Sequence, residues 1–135
     1  MANFLANRPA LGLYPPKNWD SLIERAFMNV APPGMTNVQT TLCGSCAVEG
    51  AFKFAFKGRG AQTRGGSHVE PSDEELSSCL ANQLPGSPDY GILSFKNGFH
   101  GTMLGALSTT RNMSRIGSFR KVDIPAFDWP AAIAP

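Results

Sequence analysis

Apolar positions along the chain fall into short runs separated by proline and glycine. Leu22, Ile23, Ala26, Phe27 and Val30 follow the spacing of an amphipathic helix, with Asn18 as its cap and Asp20 in its first turn. Pro32-Pro33-Gly34 ends it, so a core-facing helix is expected there. Asn37 to Leu42 alternates polar and apolar residues and reads as a strand. Cys43-Gly44-Ser45-Cys46 follows without a spacer, and Ala47, Val48, Ala51, Phe52, Ala55 and Phe56 then form a second helical stripe. Ser72-Asp73-Glu74-Glu75 is a capping box opening a third helix, which Leu76 to Leu80 continues. Pro85-Gly86-Ser87-Pro88 is a turn. Tyr90 to Phe95 reads as a buried strand, Asn97 to Gly101 as a turn, and Thr102 to Thr110 as a helix of small residues.

The stretches between are less patterned. Residues 1–17, with Pro9, Pro15 and Pro16, read as an extended arm. Residues 57–71 and 111–120 are basic and read as irregular loops, and residues 122–130 as an extended, proline-punctuated tail. No internal repeat is visible. Strand and helix alternate, which implies an α/β arrangement with a mostly parallel sheet. Only two or three strands are found, and a parallel sheet needs cover on both faces. The chain therefore reads as an incomplete sheet domain with flanking helices, spanning 18–135.

Composition narrows the partners. With 135 residues there is room for one domain, and 42% hydrophobic residues is ordinary for a globular chain. Glycine (14) and proline (11) together exceed their usual share of about 12%, in keeping with many turns. Twelve basic against ten acidic residues leave a net charge of +2, which gives no support for a nucleic-acid partner. No apolar run approaches the ~20 residues of a membrane helix, and no secretory leader is expected in Met1 to Asn7. Three cysteines suit a reducing intracellular compartment.

Two segments carry candidate chemistry. CGSC sits where a helix begins, and amide donors and the dipole there favour an anion. Gly44 lets backbone approach closely, and Ser45 adds a hydroxyl, so Gly44 and Ser45 form a candidate phosphate cradle. The same setting lowers a thiol pKa, and Cys-x-x-Cys has redox or metal spacing, although one pair supplies only two ligands. Two buried cysteines capping a helix are the plain alternative. A zinc site completed by Cys79 and His68 has no matching spacing. Phe99-His100-Gly101 follows a strand, at the strand end where ligands bind in open α/β sheets, and an aromatic there can cover a flat ring. Phosphate cradle and ring cover, both read after strands on one sheet edge, suit pyridoxal phosphate.

The ordered runs Arg8-Pro9-Ala10-Leu11-Gly12, Leu42-Cys43-Gly44-Ser45-Cys46, Glu49-Gly50-Ala51-Phe52-Lys53, Asn82 to Asp89, Leu93-Ser94-Phe95, Phe99-His100-Gly101 and Asp123 to Pro130 carry a resemblance. The chain resembles the 4-aminobutyrate branch of the class III pyridoxal-phosphate aminotransferases, over nearly its whole length. The resemblance implies a fold type I large domain, of which this would be an N-terminal fragment without the small C-terminal domain. It implies transamination of 4-aminobutyrate with 2-oxoglutarate in a homodimer, in the mitochondrial matrix or the cytoplasm. Gly44 and Ser45 would hold the cofactor phosphate, and Phe99 would stack on its ring. Cys43 and Cys46 would bind a [2Fe-2S] cluster shared across the dimer.

The departures matter equally. Thr102 stands where the family has the arginine that binds the substrate carboxylate. The Schiff-base lysine and the aspartate facing the pyridine nitrogen lie further downstream in the family, and Lys17, Lys53, Lys57, Lys96 and Lys121 match no cofactor-lysine position. The chain alone is therefore expected to be inactive. Two other readings compete. One is a thioredoxin-like redox module using Cys43 and Cys46, without the tryptophan that often precedes such a motif. The other is a non-catalytic dimer partner from a truncated gene.

Overall fold

Helix starts and stops follow the local caps, and the computed structural model describes residues 17–112 and 114–134. The expected arm thus lies outside the described residues, Lys17 excepted. The chain divides into two units, 1–47 and 48–135, each described by itself.

In the first unit, α1 spans Trp19–Ala26 behind Asn18, and a 3-10 turn spans Met28–Val30. Asn18 makes no side-chain cap; instead its carbonyl accepts from the Ser21 hydroxyl at 2.9 Å. The helix stops short of the expected stripe. Pro32 pushes Ala31 into extended backbone (φ −65, ψ 142), which unwinds the preceding turn. No residue of α1 is buried and Val30 is 79% exposed, so the expected core-facing helix is not seen. Residues 37–42 form no strand either. A strand exists through its ladder, and these residues use local bonds such as Thr41 Oγ1 to Cys43 O at 3.1 Å.

Helix α2 spans Gly44–Arg64 and runs through residues 57–64, part of the expected loop. Gly58 and Gly60 each weaken a helix by about 1 kcal/mol, which local reading weighs heavily. The helix continues because its far end is anchored. Arg64 pairs with Glu75 at 3.2 Å, and a glycine pair closes the helix. Gly66 N–H donates to Ala61 O (2.8 Å) and Gly65 N–H to Gln62 O (3.1 Å), with Gly65 at φ +102. That is a Schellman ending, which needs the left-handed backbone glycine supplies. Helix α3, Asp73–Leu80, has the expected capping box: Ser72 Oγ accepts from Glu75 N at 3.1 Å and Glu75 Oε2 from Ser72 N at 2.8 Å.

Strand β1 is only Ser94–Phe95. It pairs in parallel with β2, Ala131–Ala132, in the register Ser94 to Ala131 and Phe95 to Ala132. Parallel pairing needs a crossover, which carries α4 (Leu104–Thr109) and α5 (Arg115–Phe119). Helix α5 lies inside the expected loop 111–120. Its start is fixed by Ser114 Oγ accepting from Gly117 N at 3.1 Å. The sheet is thus parallel and small, in an α/β arrangement. The most buried stretch is Gly105 to Thr110, around α4. Its apolar part is Ala106 and Leu107, while Leu80 is 87% exposed. No described helix is long and apolar enough to cross a membrane.

Candidate functional site

The Cys43 end of α2 is built by backbone. Cys43 O accepts from Ala47 N at 3.0 Å, which makes Cys43 the cap and leaves Gly44, Ser45 and Cys46 as the first turn. Cys43 Sγ donates to Cys46 Sγ at 3.5 Å. The Cys46 N–H reaches the Cys43 sulfur and does most to hold its pKa below the ordinary thiol value. Once Cys43 ionises, its sulfur accepts from the Cys46 thiol and from the Ser45 N–H and hydroxyl, which act in the same direction. The anion these donors meet is the Cys43 thiolate itself. A Cβ added at Gly44 would meet nothing within 4 Å, so the approach to the first turn is open. An open helix N-terminus fits a phosphate group.

The depressed pKa has a direct consequence. The thiolate is the nucleophile, so alkylation of Cys43 by iodoacetamide should rise with pH about a midpoint below that of a free cysteine. Ser45→Ala removes one donor and should move that midpoint upward. A wild-type midpoint at or above the free-thiol value would contradict the donor geometry.

The cysteine pair stands alone as a metal feature. Among the described residues no group of three or more His, Cys, Asp or Glu side chains could hold a metal ion. The Cys79 thiol donates to Leu76 O at 3.2 Å, and none of the three cysteines forms a disulfide. No strand precedes CGSC among the described residues, so the strand-turn-helix layout of a thiol redox module is not formed, and the expectation that the CGSC cradle follows a strand on the sheet edge is not met either.

In the second unit, Phe99 lies in the turn after β1. It is 51% exposed, and the Arg120 guanidinium sits over its ring, 5.6 Å from the centroid. The turn is made by Asn97 (φ 66) and Gly101 (φ 129), both in left-handed backbone. It is tied to the end of α4: Arg111 N donates to Gly98 O at 2.8 Å, and His100 N to Thr110 Oγ1 at 2.9 Å. The Arg111 guanidinium also donates to Trp129 O and to Ser94 Oγ (3.4 Å), tying the turn to both strands' neighbourhoods. An exposed aromatic on a fixed turn fits a ring-covering role.

Sequence reasoning gave Glu49 no role. Its Oε1 accepts from Ala106 N at 2.8 Å, in the first turn of α4. The signal was faint: an acidic residue on one helix, 57 positions before the amide it caps. Glu49 also borders a groove of about 400 Å³, lined by Lys53 and by Phe52, Phe56, Tyr90, Phe127 and Trp129. Trp129 organises these rings, with centroids 5.8 Å from Phe52 and Phe56 and 4.7 Å from Phe127.

Comparison with known proteins bears on the whole chain. A family model described as aminotransferase class-III matches residues 2–130. The 4-aminobutyrate aminotransferase of Dictyostelium discoideum is 54% identical over 131 residues, covering 97% of this chain and 25% of the relative. That of Mycosarcoma maydis is 50% identical over 124 residues, covering 92% of this chain and 23% of the relative. The mouse protein, named 4-aminobutyrate aminotransferase, mitochondrial, is 46% identical over 134 residues, covering 99% of this chain and 26% of the relative. The chain thus spans about a quarter of the length of the curated relatives it matches.

Proposed function

Since this chain belongs to the class-III aminotransferase family, we propose that it supplies the pyridoxal-phosphate phosphate cradle and ring cover of a 4-aminobutyrate aminotransferase of fold type I. The observation that carries this reading is the open first turn of α2, where Gly44 and Ser45 stand at the helix N-terminus and a Cβ at Gly44 would meet nothing within 4 Å. In this reading Gly44 and Ser45 take the cofactor phosphate at that turn, and Phe99 lies against the pyridine ring. When bound, the cofactor supplies the electron sink for transamination of 4-aminobutyrate with 2-oxoglutarate. The chain's own residues bind and orient. Gly44 gives open approach, Ser45 donates hydrogen bonds, and Phe99 keeps water off one ring face.

Other parts of the reading follow the same line. Thr102 after Gly101 offers no cation to a substrate carboxylate, and none of the five lysines is assigned the covalent role. Cys43 and Cys46 offer two thiolates, so a [2Fe-2S] cluster would need two more from a second copy in a homodimer. The location that suits the mitochondrial naming of mammalian relatives is the mitochondrial matrix, with the cytoplasm as the other intracellular site.

Equilibrium dialysis of pyridoxal phosphate against the 135-residue chain tests this. The chain should bind the cofactor, and Phe99→Ala should weaken binding roughly tenfold, the order of an aromatic stacking contact. Turnover of 4-aminobutyrate by the chain alone should be absent. Unchanged affinity in Phe99→Ala would remove the ring-cover role, and measurable turnover would overturn the assignment of no covalent lysine.

A further inference from the structure

A large apolar residue in a surface turn is ordinarily free to swing into whatever cover is near. At Phe99 the backbone on both sides is fastened, which fixes the direction in which the ring leaves the chain, and the Arg120 guanidinium sits over the ring. Gly98 O accepts from Arg111 N at 2.8 Å, and His100 N donates to Thr110 Oγ1 at 2.9 Å. The two fasteners are consecutive residues at the end of α4. Thr110 is itself immobilised and 1% exposed. Its N–H donates to Ala106 O at 3.0 Å, and its carbonyl accepts from Lys121 Nζ at 2.7 Å. The hydroxyl does two things at once. It accepts from His100, and its oxygen lies 3.0 Å from both Gly101 O and Ala106 O, either of which can accept its proton.

Left-handed Asn97 and the Gly98 N to Phe95 O bond at 3.1 Å start the turn locally. Its far side, after Phe99, is gripped by the Thr110 hydroxyl at His100 and Gly101. We infer that Thr110 is a positioning residue: it sets the Phe99 ring for a flat aromatic ligand, and it never touches that ligand. The ligand identity rests on the function proposed above, pyridoxal phosphate. Only a side chain with a hydroxyl can accept from His100 and donate to a carbonyl through one atom. Serine keeps that ability and valine keeps only the shape.

The test uses Thr110→Val and Thr110→Ser in the full 135-residue chain, with amide hydrogen exchange at His100 and pyridoxal-phosphate affinity as readouts. Thr110→Val should speed His100 exchange at least tenfold and weaken pyridoxal phosphate about as much as Phe99→Ala, roughly tenfold. Thr110→Ser should restore both. In a Phe99→Ala background Thr110→Val should cost no further affinity, because the residue acts only through the ring. A simple loss of stability would not be rescued in this pattern. If Thr110→Val unfolds the chain, Thr110→Ala, which leaves room for a bridging water, carries the same measurements. Unchanged His100 exchange in the folded variant overturns the inference, as does an equal affinity loss with and without Phe99. If Phe99→Ala leaves affinity unchanged while His100 exchange still depends on the hydroxyl, the cofactor reading fails and the positioning of the turn stands.

Discussion

Gly86→Ala is expected to destabilise the chain by about 3 kcal/mol, more than any other single methyl addition considered. The sequence marks Gly86 only as part of a turn. The structure presses its α-carbon against α3. A Cβ there would collide with Glu75 O and stand 2.6 Å from Cys79 N and 2.8 Å from Cys79 Cβ. Glu75 O and Cys79 N are helix backbone, so neither can swing aside as a flexible side chain would. The 82–88 segment would have to lift, and Gly86 N would lose its bond to Ser78 Oγ at 2.9 Å. Gly86 has no left-handed backbone in this turn, so the cost comes from close approach and not from φ. The urea midpoint is the measurement. Gly86→Ala should lower it sharply, whereas Gly58→Ala, where a Cβ meets nothing within 4 Å, should raise it slightly. Equal midpoints for Gly86→Ala and wild type would show that the segment does not pack on α3 in solution.

Glu49→Ala should cost about 1–3 kcal/mol, by leaving the part-buried Ala106 N–H without its acceptor. The carboxylate also faces the positive end of α4, so charge adds to the hydrogen bond. Glu49→Gln separates the two contributions. It keeps an acceptor oxygen and loses the charge, and should cost under about half as much. The neighbouring glycine gives a sharper check. A Cβ at Gly105 would lie 2.9 Å and 3.0 Å from the two Glu49 oxygens. Gly105→Ala should therefore be damaging in the wild type and milder once Glu49 is alanine. A double-mutant cycle reads this coupling directly. Additive losses would mean that the carboxylate and the α4 end do not meet. Since α4 also holds the Phe99 turn through Thr110, Glu49→Ala should loosen that turn as well, seen as faster His100 amide exchange.

Signals confined to a few residues were legible in the sequence. The Ser72–Glu75 capping box, the start of α2 at CGSC and the Asn97–Gly101 turn stand where local chemistry put them, and the small-residue helix expected over 102–110 is found as Leu104–Thr109. So did the α/β character, and so did the runs of residues that place the chain among the class-III aminotransferases. Each depends on caps, turn backbone or ordered motifs within reach of one short window.

What the window could not hold, the tertiary structure decided. The alternating pattern of residues 37–42 makes no strand, whereas Ser94–Phe95 pairs with Ala131–Ala132, which no propensity singled out, because a strand is a pairing. Helix α2 runs to Arg64 through Gly58 and Gly60 because Glu75, eleven residues on, holds its end. Glu49 and Ala106 are 57 positions apart, and Ser94 and Pro130 are 36. The roles of Glu49, Gly86 and Thr110 exist only once those separations are closed. Propensity and capping act through neighbouring residues, whereas close approach and hydrogen bonds between distant segments are fixed by packing alone.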